Sequence, residues 1–156
     1  MNVNVYIDAD ACPVKAEVYR VAERYSLPVH VVANQFIAVP RHPLFSFHLV
    51  DAGFDAADDW IAERAGQGAI VITADIPLAA RCLKNGAVVI GSTGKPFTDA
   101  SIGMALAGRA IAEYRRAMGE QGGGPAPLGP KDRSRFLSSL DEAVVRLRRL
   151  ADRPQP

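Results

Sequence analysis

Apolar residues recur along the chain at two different periods. Val3, Val5 and Ile7 alternate with other positions at the start, which predicts a buried strand. Four further short apolar or alternating runs also predict strands, at 28–33, 45–50, 69–73 and 87–90. Segments with helical spacing of apolar residues lie between and after these runs, at 13–25, 55–65, 77–85, 99–118 and 132–151.

The order of these elements predicts the fold class. Strands that alternate with helices are typical of an α/β protein, so we expect a three-layer α/β/α sandwich with a mainly parallel sheet. The run at 69–73 is apolar throughout, as expected for a strand covered by helices on both faces. The length of 156 residues favours a single domain over 1–156. Within it, a Gly- and Pro-rich connector at 119–130 precedes a C-terminal helix at about 132–151.

Acidic residues follow two of the predicted strands. Asp8 and Asp10 end the first strand, and Asp75 follows the strand at 69–73. Because the carboxyl ends of parallel strands share one edge of a sheet, these three side chains should meet there. Thr73 ends the strand at 69–73 and Asn34 follows the strand at 28–33, and we expect both to contact substrate. A simpler alternative is that Asn34 is a turn residue and that Asp8 or Asp10 caps the helix opened by Pro13.

More acids lie at the start of the helix at 55–65. Asp55 is a natural N-cap, and Asp58 falls in the first helical turn. Asp55, Asp59 and Glu63 recur every four residues and form an acidic stripe, for which a solvated helix face is the simplest explanation. The sequence leaves open which of Asp55, Asp58 and Asp59 reaches the predicted site.

Clustered carboxylates indicate a cation. Two unit charges about 4 Å apart repel by about 4 kcal/mol at an effective dielectric constant near 20, so converging aspartates need a positive partner. Ligand sets of oxygen alone favour Mg²⁺ or Mn²⁺ over zinc, and such an ion can activate water for attack at phosphorus. We predict the metal ligands Asp8, Asp10, Asp59 and Asp75. With Asp58, these residues form the predicted catalytic set.

Composition narrows the range of functions. The chain is 49% apolar, 22% charged and has a net charge of +1, which argues against indiscriminate nucleic-acid binding but allows a local basic patch. Lys95, in a hydroxyl-rich loop at 91–99, and Arg133, on the last helix, are candidate phosphate-binding residues. A solvated helix face explains the arginines of that helix equally well.

The lengths of the apolar runs indicate the cellular location, and the spacing of the cysteines argues against some kinds of site. No apolar run approaches the roughly 18 residues that span a membrane, and no signal peptide is evident, so we expect a cytoplasmic protein without membrane contact. Cys12 and Cys82 form no CxxC pair, which argues against a disulfide framework or a thiolate zinc site.

Five runs of sequence match a known family. They read YIDADACPVKAEVYRVAER, VVAN, GFDAADDWIAE, VITADIPLAARCLKNGA, and GGPAP followed by KDRSRF. Over nearly the whole chain they closely resemble the YaiI/YqxD family of uncharacterised bacterial proteins, which is regarded as related to PIN-like domains. The resemblance implies a PIN-like fold with acids around Mg²⁺ or Mn²⁺ for cleavage of RNA. By position, Asp8, Asp75 and either Asp58 or Asp59 resemble those acids, whereas Asp10 has no such counterpart.

Three functional hypotheses follow. The first is a divalent-metal-dependent phosphodiesterase acting on RNA. The second is a non-catalytic RNA-binding or regulatory protein with the same fold. The third is a phosphatase with Asp8 as nucleophile and Asp10 as general acid, although its paired acids should come late in the chain and Asp58 and Asp59 come before Thr73. The sequence leaves the oligomeric state open.

Overall fold

Five parallel strands form the sheet at the centre of the protein. The computed structural model describes residues 2–53, 55–117 and 128–152. Within them the strands are β1 (Asn4–Asp8), β2 (Val29–Ala33), β3 (Phe45–Leu49), β4 (Ala69–Ile72) and β5 (Val88–Ile90). Their order in the sheet is β3-β2-β1-β4-β5, and each neighbouring pair is parallel.

Helices cover both faces of this sheet. They are α1 (Lys15–Tyr25), α2 (Ala56–Arg64), α3 (Ile76–Lys84), α4 (Asp99–Ala117) and α5 (Pro130–Ala151). On one face, Val5 and Ile7 belong to a buried cluster with residues of α1 and α5, including Phe136. On the other face, Tyr6 belongs to a cluster with Ile61 of α2 and with residues of α3 and α4. The predicted α/β fold with a three-layer α/β/α architecture is therefore confirmed.

Several element boundaries differ from the sequence prediction. The chain after β1 turns into a short 3₁₀ helix, Ala9–Ala11, and α1 begins at Lys15 rather than at Pro13. Helix α5 begins at Pro130, two residues earlier than predicted. The predicted connector at 119–130 lies largely outside the described residues. None of the described helices is both long and apolar enough to cross a membrane.

The strand order defines where a ligand can bind. From β1 the chain builds the sheet in one direction through β2 and β3, and it then crosses back to add β4 and β5 on the other side of β1. Helices therefore leave β1 and β4 in a way that opens a crevice at their carboxyl ends. In open α/β sheets this switch in strand order is the usual ligand-binding position.

Candidate functional site

An open cavity of about 820 Å³ lies at the carboxyl ends of β1 and β4. Its acidic lining comes from the end of β1, the 3₁₀ helix, the start of α2 and the residue before α3. The aspartates of this lining are Asp8, Asp10, Asp55, Asp58 and Asp75. The parallel sheet thus brings together side chains that are up to 67 positions apart in the sequence.

Asp8 is held by the neighbouring strand end. The Thr73 hydroxyl donates a hydrogen bond to Asp8 Oδ2 at 2.8 Å and accepts one from the backbone N–H of Asp75 at 3.0 Å. Burial raises the pKa of Asp8, the bond from Thr73 lowers it, and the charges of Asp75 and Asp10 raise it further. Thr73 is only 3% exposed and its hydroxyl is occupied on both sides. It therefore positions Asp8, which differs from the substrate contact that the sequence predicted.

Asp75 both caps a helix and lines the cavity. Its Oδ1 accepts a hydrogen bond from the backbone N–H of Leu78 at 2.8 Å, which makes it the N-cap of α3. Among the described residues, no other hydrogen bond to this carboxylate is present. The second oxygen thus remains available at the cavity wall.

Asp10 reaches the cavity by a different route from the one predicted. The sequence argument assumed an extended chain, whereas Asp10 lies in the 3₁₀ helix that follows β1. Its carboxylate accepts the backbone N–H of Asn34, with distances of 3.0 Å to Oδ2 and 3.3 Å to Oδ1. Neither Asp8 nor Asp10 caps α1, whose N-cap position is Val14. Asn34 also lines the cavity, and its main-chain amide holds Asp10 in place.

Asp58 has the largest pKa shift among the acids that line the cavity. Its pKa rises to about 6, first because the side chain is partly buried and then because Asp75, Asp8 and Asp55 are negatively charged. Asp55 occupies the N-cap position of α2 with a left-handed backbone, φ 67°, and its side chain makes no capping hydrogen bond. Asp55 and Asp58 both line the cavity.

Asp59 is placed away from this cavity. Its Oδ1 accepts a hydrogen bond from Arg81 Nη1 at 2.7 Å, and both side chains are about half exposed. Asp59 is not among the residues that line the cavity, whereas Asp58 is. The structure therefore gives Asp58 as the helical acid of the candidate site, and the role of Asp59 as a metal ligand stays a prediction.

The predicted phosphate-binding residues also lie elsewhere. Arg133 Nη1 donates to Glu17 Oε1 and to the Pro13 carbonyl, both at 2.9 Å, and so ties α5 to the start of α1. Lys95 lines a separate shallow groove between loop 91–97 and α5. Neither side chain lines the acidic cavity, because the loop turns away from it after Ser92.

Ser92 and Cys12 were not among the predicted site residues, although both line the cavity. Ser92 lines the cavity, and the hydroxyl-rich composition of the loop at 91–99 was the signal for it. Cys12 also lines the cavity, but burial raises the pKa of its thiol, with smaller contributions from Asp8 and Glu17. The thiol therefore stays protonated near neutral pH and is not poised as a nucleophile.

The donor set of the cavity fits a hydrated hard cation. Among the described residues, no group of three or more His, Cys, Asp or Glu side chains is compact enough to enclose a metal ion. Mg²⁺ commonly binds through one or two carboxylates and keeps several waters. Asp8 and Asp75 both line the cavity and offer such a pair of carboxylates. The residues therefore fit Mg²⁺ or Mn²⁺ with water in the remaining positions.

The raised pKa of Asp58 predicts that removing the charge of this side chain stabilises the folded protein, and that the gain depends on pH. A rise from 3.8 to about 6 means that ionised Asp58 destabilises the folded state above pH 6, and that this cost disappears below pH 4. The shift corresponds to about 3 kcal/mol, which partial exposure reduces to roughly 1 kcal/mol. We expect Asp58→Asn to be more stable than wild type in urea unfolding at pH 7.5 and equally stable at pH 4. A variant that is less stable at pH 7.5 would contradict this prediction.

The fold and the cavity together define a parallel α/β/α protein with an acidic site at the point where the strand order switches. Comparison of sequences gives the family: the chain belongs to the uncharacterised YaiI/YqxD family, which matches it over residues 6–146. The predicted family is thus confirmed, whereas the relation to PIN-like domains stays a prediction.

Relatives from bacteria are similar to the chain over almost their whole length. The chain is 60% identical over 147 residues to the UPF0178 protein of Nitrobacter winogradskyi, covering 94% of both chains. It is 59% identical over 145 residues to the UPF0178 protein of Rhodopseudomonas palustris strain TIE-1, covering 93% of this chain and 92% of the relative. No solved structure matches the chain. The names of these relatives assign no activity, so the function has to be inferred from the site.

Proposed function

We propose that the protein is a divalent-metal-dependent phosphodiesterase that acts on RNA. The observation that carries this proposal is the convergence of Asp8, Asp10, Asp58 and Asp75 on one cavity. The pKa of Asp58 rises to about 6, first because the side chain is partly buried and then because Asp75, Asp8 and Asp55 repel its charge. A divalent cation would relieve this repulsion, so the cavity is better suited to a metal complex than to a neutral ligand.

The residues divide into distinct roles in this proposal. Asp8 and Asp75 hold the cation, and the Thr73 hydroxyl fixes the orientation of Asp8. When bound, Mg²⁺ or Mn²⁺ polarises a phosphoryl oxygen and lowers the pKa of water. Asp58, with a pKa of about 6, accepts the proton of the attacking water, because its pKa is close to neutral pH. Asp10, held by the backbone amide of Asn34, adds a further carboxylate to the cavity lining.

Two considerations favour a nucleic-acid substrate. The cavity is open and has a volume of about 820 Å³, so a polymer can cross it without having to enter an enclosed pocket. The resemblance of the family to PIN-like domains favours RNA over DNA. Fold similarity alone does not determine a reaction, and the substrate therefore needs a direct test.

The proposal is tested by incubating the purified protein with end-labelled single-stranded RNA, hairpin RNA and DNA of the same sequence. We expect cleavage of RNA in Mn²⁺ or Mg²⁺ and none in EDTA. Asp59→Asn is the matched control, because it removes a neighbouring acid whose exposed pair with Arg81 contributes at most about 1 kcal/mol to stability. This variant should cleave RNA at a rate within about twofold of wild type.

Other outcomes would identify the alternatives. Binding of RNA without cleavage in either metal would instead support a non-catalytic RNA-binding protein. Hydrolysis of a phosphate monoester, together with a trapped phosphoryl adduct on Asp8, would instead support an aspartyl-nucleophile phosphatase. Either result would overturn the proposed RNA phosphodiesterase activity.

A further inference from the structure

Three polar side chains face each other on the outer part of the sheet, away from the acidic cavity. In the parallel pairing of β2 and β3, His30 lies opposite Ser46, and Val32 lies opposite His48. Because alternate residues of a strand point to the same face, Ser46 and His48 project together from β3 towards His30. The three side chains are half-buried, so their polar atoms form a small cluster that solvent can still reach.

The donor atoms of this cluster form a nearly regular triangle. His30 Nδ1 lies 3.1 Å from His48 Nε2. Ser46 Oγ lies 3.3 Å from His30 Nδ1 and 3.0 Å from His48 Nε2. Ligands at about 2.0 Å from a tetrahedral zinc ion are separated by about 3.3 Å, so this triangle has the size of one face of such a site. The close contacts are hydrogen bonds in the metal-free protein, and the same atoms can converge on an ion after small ring rotations.

Aromatic rings hold both imidazoles in place. The His30 ring stacks on Tyr6 with a centroid distance of 4.7 Å, and the His48 ring lies 4.4 Å from the Trp60 ring. The side chains also come from two hydrogen-bonded strands rather than from loops. Ligands on such rigid elements lose little conformational freedom on binding, which favours metal affinity.

The charge state of the cluster also suits an imidazole-binding metal. Burial lowers the pKa of both histidines, with smaller effects of His48 on His30 and of Arg64 on His48. Both rings are therefore neutral at pH 7 and can offer a lone pair. The Arg64 guanidinium stacks on Trp60, 4.0 Å from its centroid, and opposes a cation by repulsion. No aspartate or glutamate takes part in the contacts of this triangle, so Mg²⁺ is not favoured here.

We infer that His30, His48 and Ser46 form a binding site for Zn²⁺, with water as the fourth ligand. Two imidazoles favour Zn²⁺ and related transition metals over the hard cations expected at the acidic cavity, and the neutral Ser46 hydroxyl is a weaker ligand than the carboxylates common in zinc sites. The zinc site joins β2 to the edge strand β3, whose connection at 34–44 contains no helix. Bound zinc would therefore fasten the outer strand to the sheet.

Calorimetric titration with Zn²⁺ in excess Mg²⁺ tests this inference. We expect saturation at one zinc ion per chain, and at least about tenfold weaker affinity in His30→Ala and His48→Ala. His42→Ala is the matched control, since the sequence has three histidines and the third stacks on Phe45 outside the cluster. Its zinc affinity should equal that of wild type. Equal affinity in the His30 and His48 variants would overturn the inference.

A measurement on the wild-type protein tests zinc binding by the histidines without relying on the folding of the variants. Long-range ¹H–¹⁵N spectra recorded with one equivalent of Zn²⁺ should shift the ring nitrogens of His30 and His48 and leave those of His42 unchanged. Asp8→Asn should bind zinc as tightly as wild type, whether or not the protein cleaves RNA. Spectra in which no histidine shifts, or loss of zinc binding in Asp8→Asn, would place the ion elsewhere and overturn the inference.

Discussion

Asp8→Asn is expected to lower metal-dependent RNA cleavage on the order of 100-fold or more while leaving the fold intact. Asp8 is the acid at the end of the central strand β1, and its Oδ2 accepts the hydrogen bond from Thr73. The asparagine side-chain oxygen can accept the same bond, so the local packing is retained. The substitution removes the negative charge that attracts the cation, and this loss should affect catalysis more than folding.

Single-turnover rates in Mn²⁺, together with thermal unfolding of the same samples, separate the two effects. Because the pKa of Asp8 is raised by burial, the charged side chain already weakens the folded state at pH 7. The melting temperature of Asp8→Asn without metal should therefore equal or exceed that of wild type. An unchanged cleavage rate in a folded variant would remove Asp8 from the proposed mechanism.

The architecture was predictable because it depends on local patterns. Alternation at Val3, Val5 and Ile7 marks β1 as a strand, and the unbroken apolar run of β4 marks a strand that is buried on both faces. A parallel sheet then places the carboxyl ends of its strands at one edge, which predicts that Asp8 and Asp75 lie at the same edge. The direct pairing of β1 with β4, which brings these two residues close together, is known only from the structure.

The remaining parts of the site depend on packing that the sequence does not show. The choice between Asp58 and Asp59 depends on how α2 is rotated against the sheet, which is set by burial of Ile61 and Ala62. Arg133 was a plausible phosphate ligand on a basic helix, yet its partner Glu17 lies 116 positions away. Such contacts between distant segments leave no periodic signal along the chain.

Asp10 shows a third limit on what the sequence can predict about the site. The two-residue spacing from Asp8 indicated one shared face only if the strand continued, but it ends at Asp8. The 3₁₀ turn still brings Asp10 to the cavity, where the Asn34 amide fixes it. The predicted residue was therefore correctly placed at the cavity for a geometric reason that was wrong.

Gly94→Ala is expected to destabilise the protein by about 2–4 kcal/mol, through backbone strain and steric overlap. Gly94 has a φ of +87°, which an L-residue with a side chain adopts at a cost. A methyl group at this position would lie 2.7 Å from the Arg135 carbonyl oxygen and 3.0 Å from the Phe136 backbone nitrogen. Both contacts are with the backbone of α5, so side-chain rotation cannot relieve them.

The matched control for Gly94→Ala is Gly103→Ala. Gly103 lies in α4, and apart from its chain neighbours and the backbone of its own helix no described atom lies within 4 Å of the position that its Cβ would take. Alanine there should leave the stability unchanged or raise it by up to about 1 kcal/mol, because glycine is the poorer helix former. Urea unfolding of both variants and wild type gives the comparison. Equal stabilities for the two variants would show that contact with α5 does not determine the cost at Gly94.

The Gly94 contact also links stability to the site. Ser139 Oγ donates to the Gly94 carbonyl at 2.5 Å, so α5 holds loop 91–97 by a hydrogen bond as well as by close packing. Ser92, two residues earlier in the same loop, lines the acidic cavity. Displacement of the loop in Gly94→Ala should therefore move Ser92 and lower the cleavage rate of the molecules that remain folded. A variant with reduced stability but a wild-type rate would show that Ser92 does not contribute to the reaction.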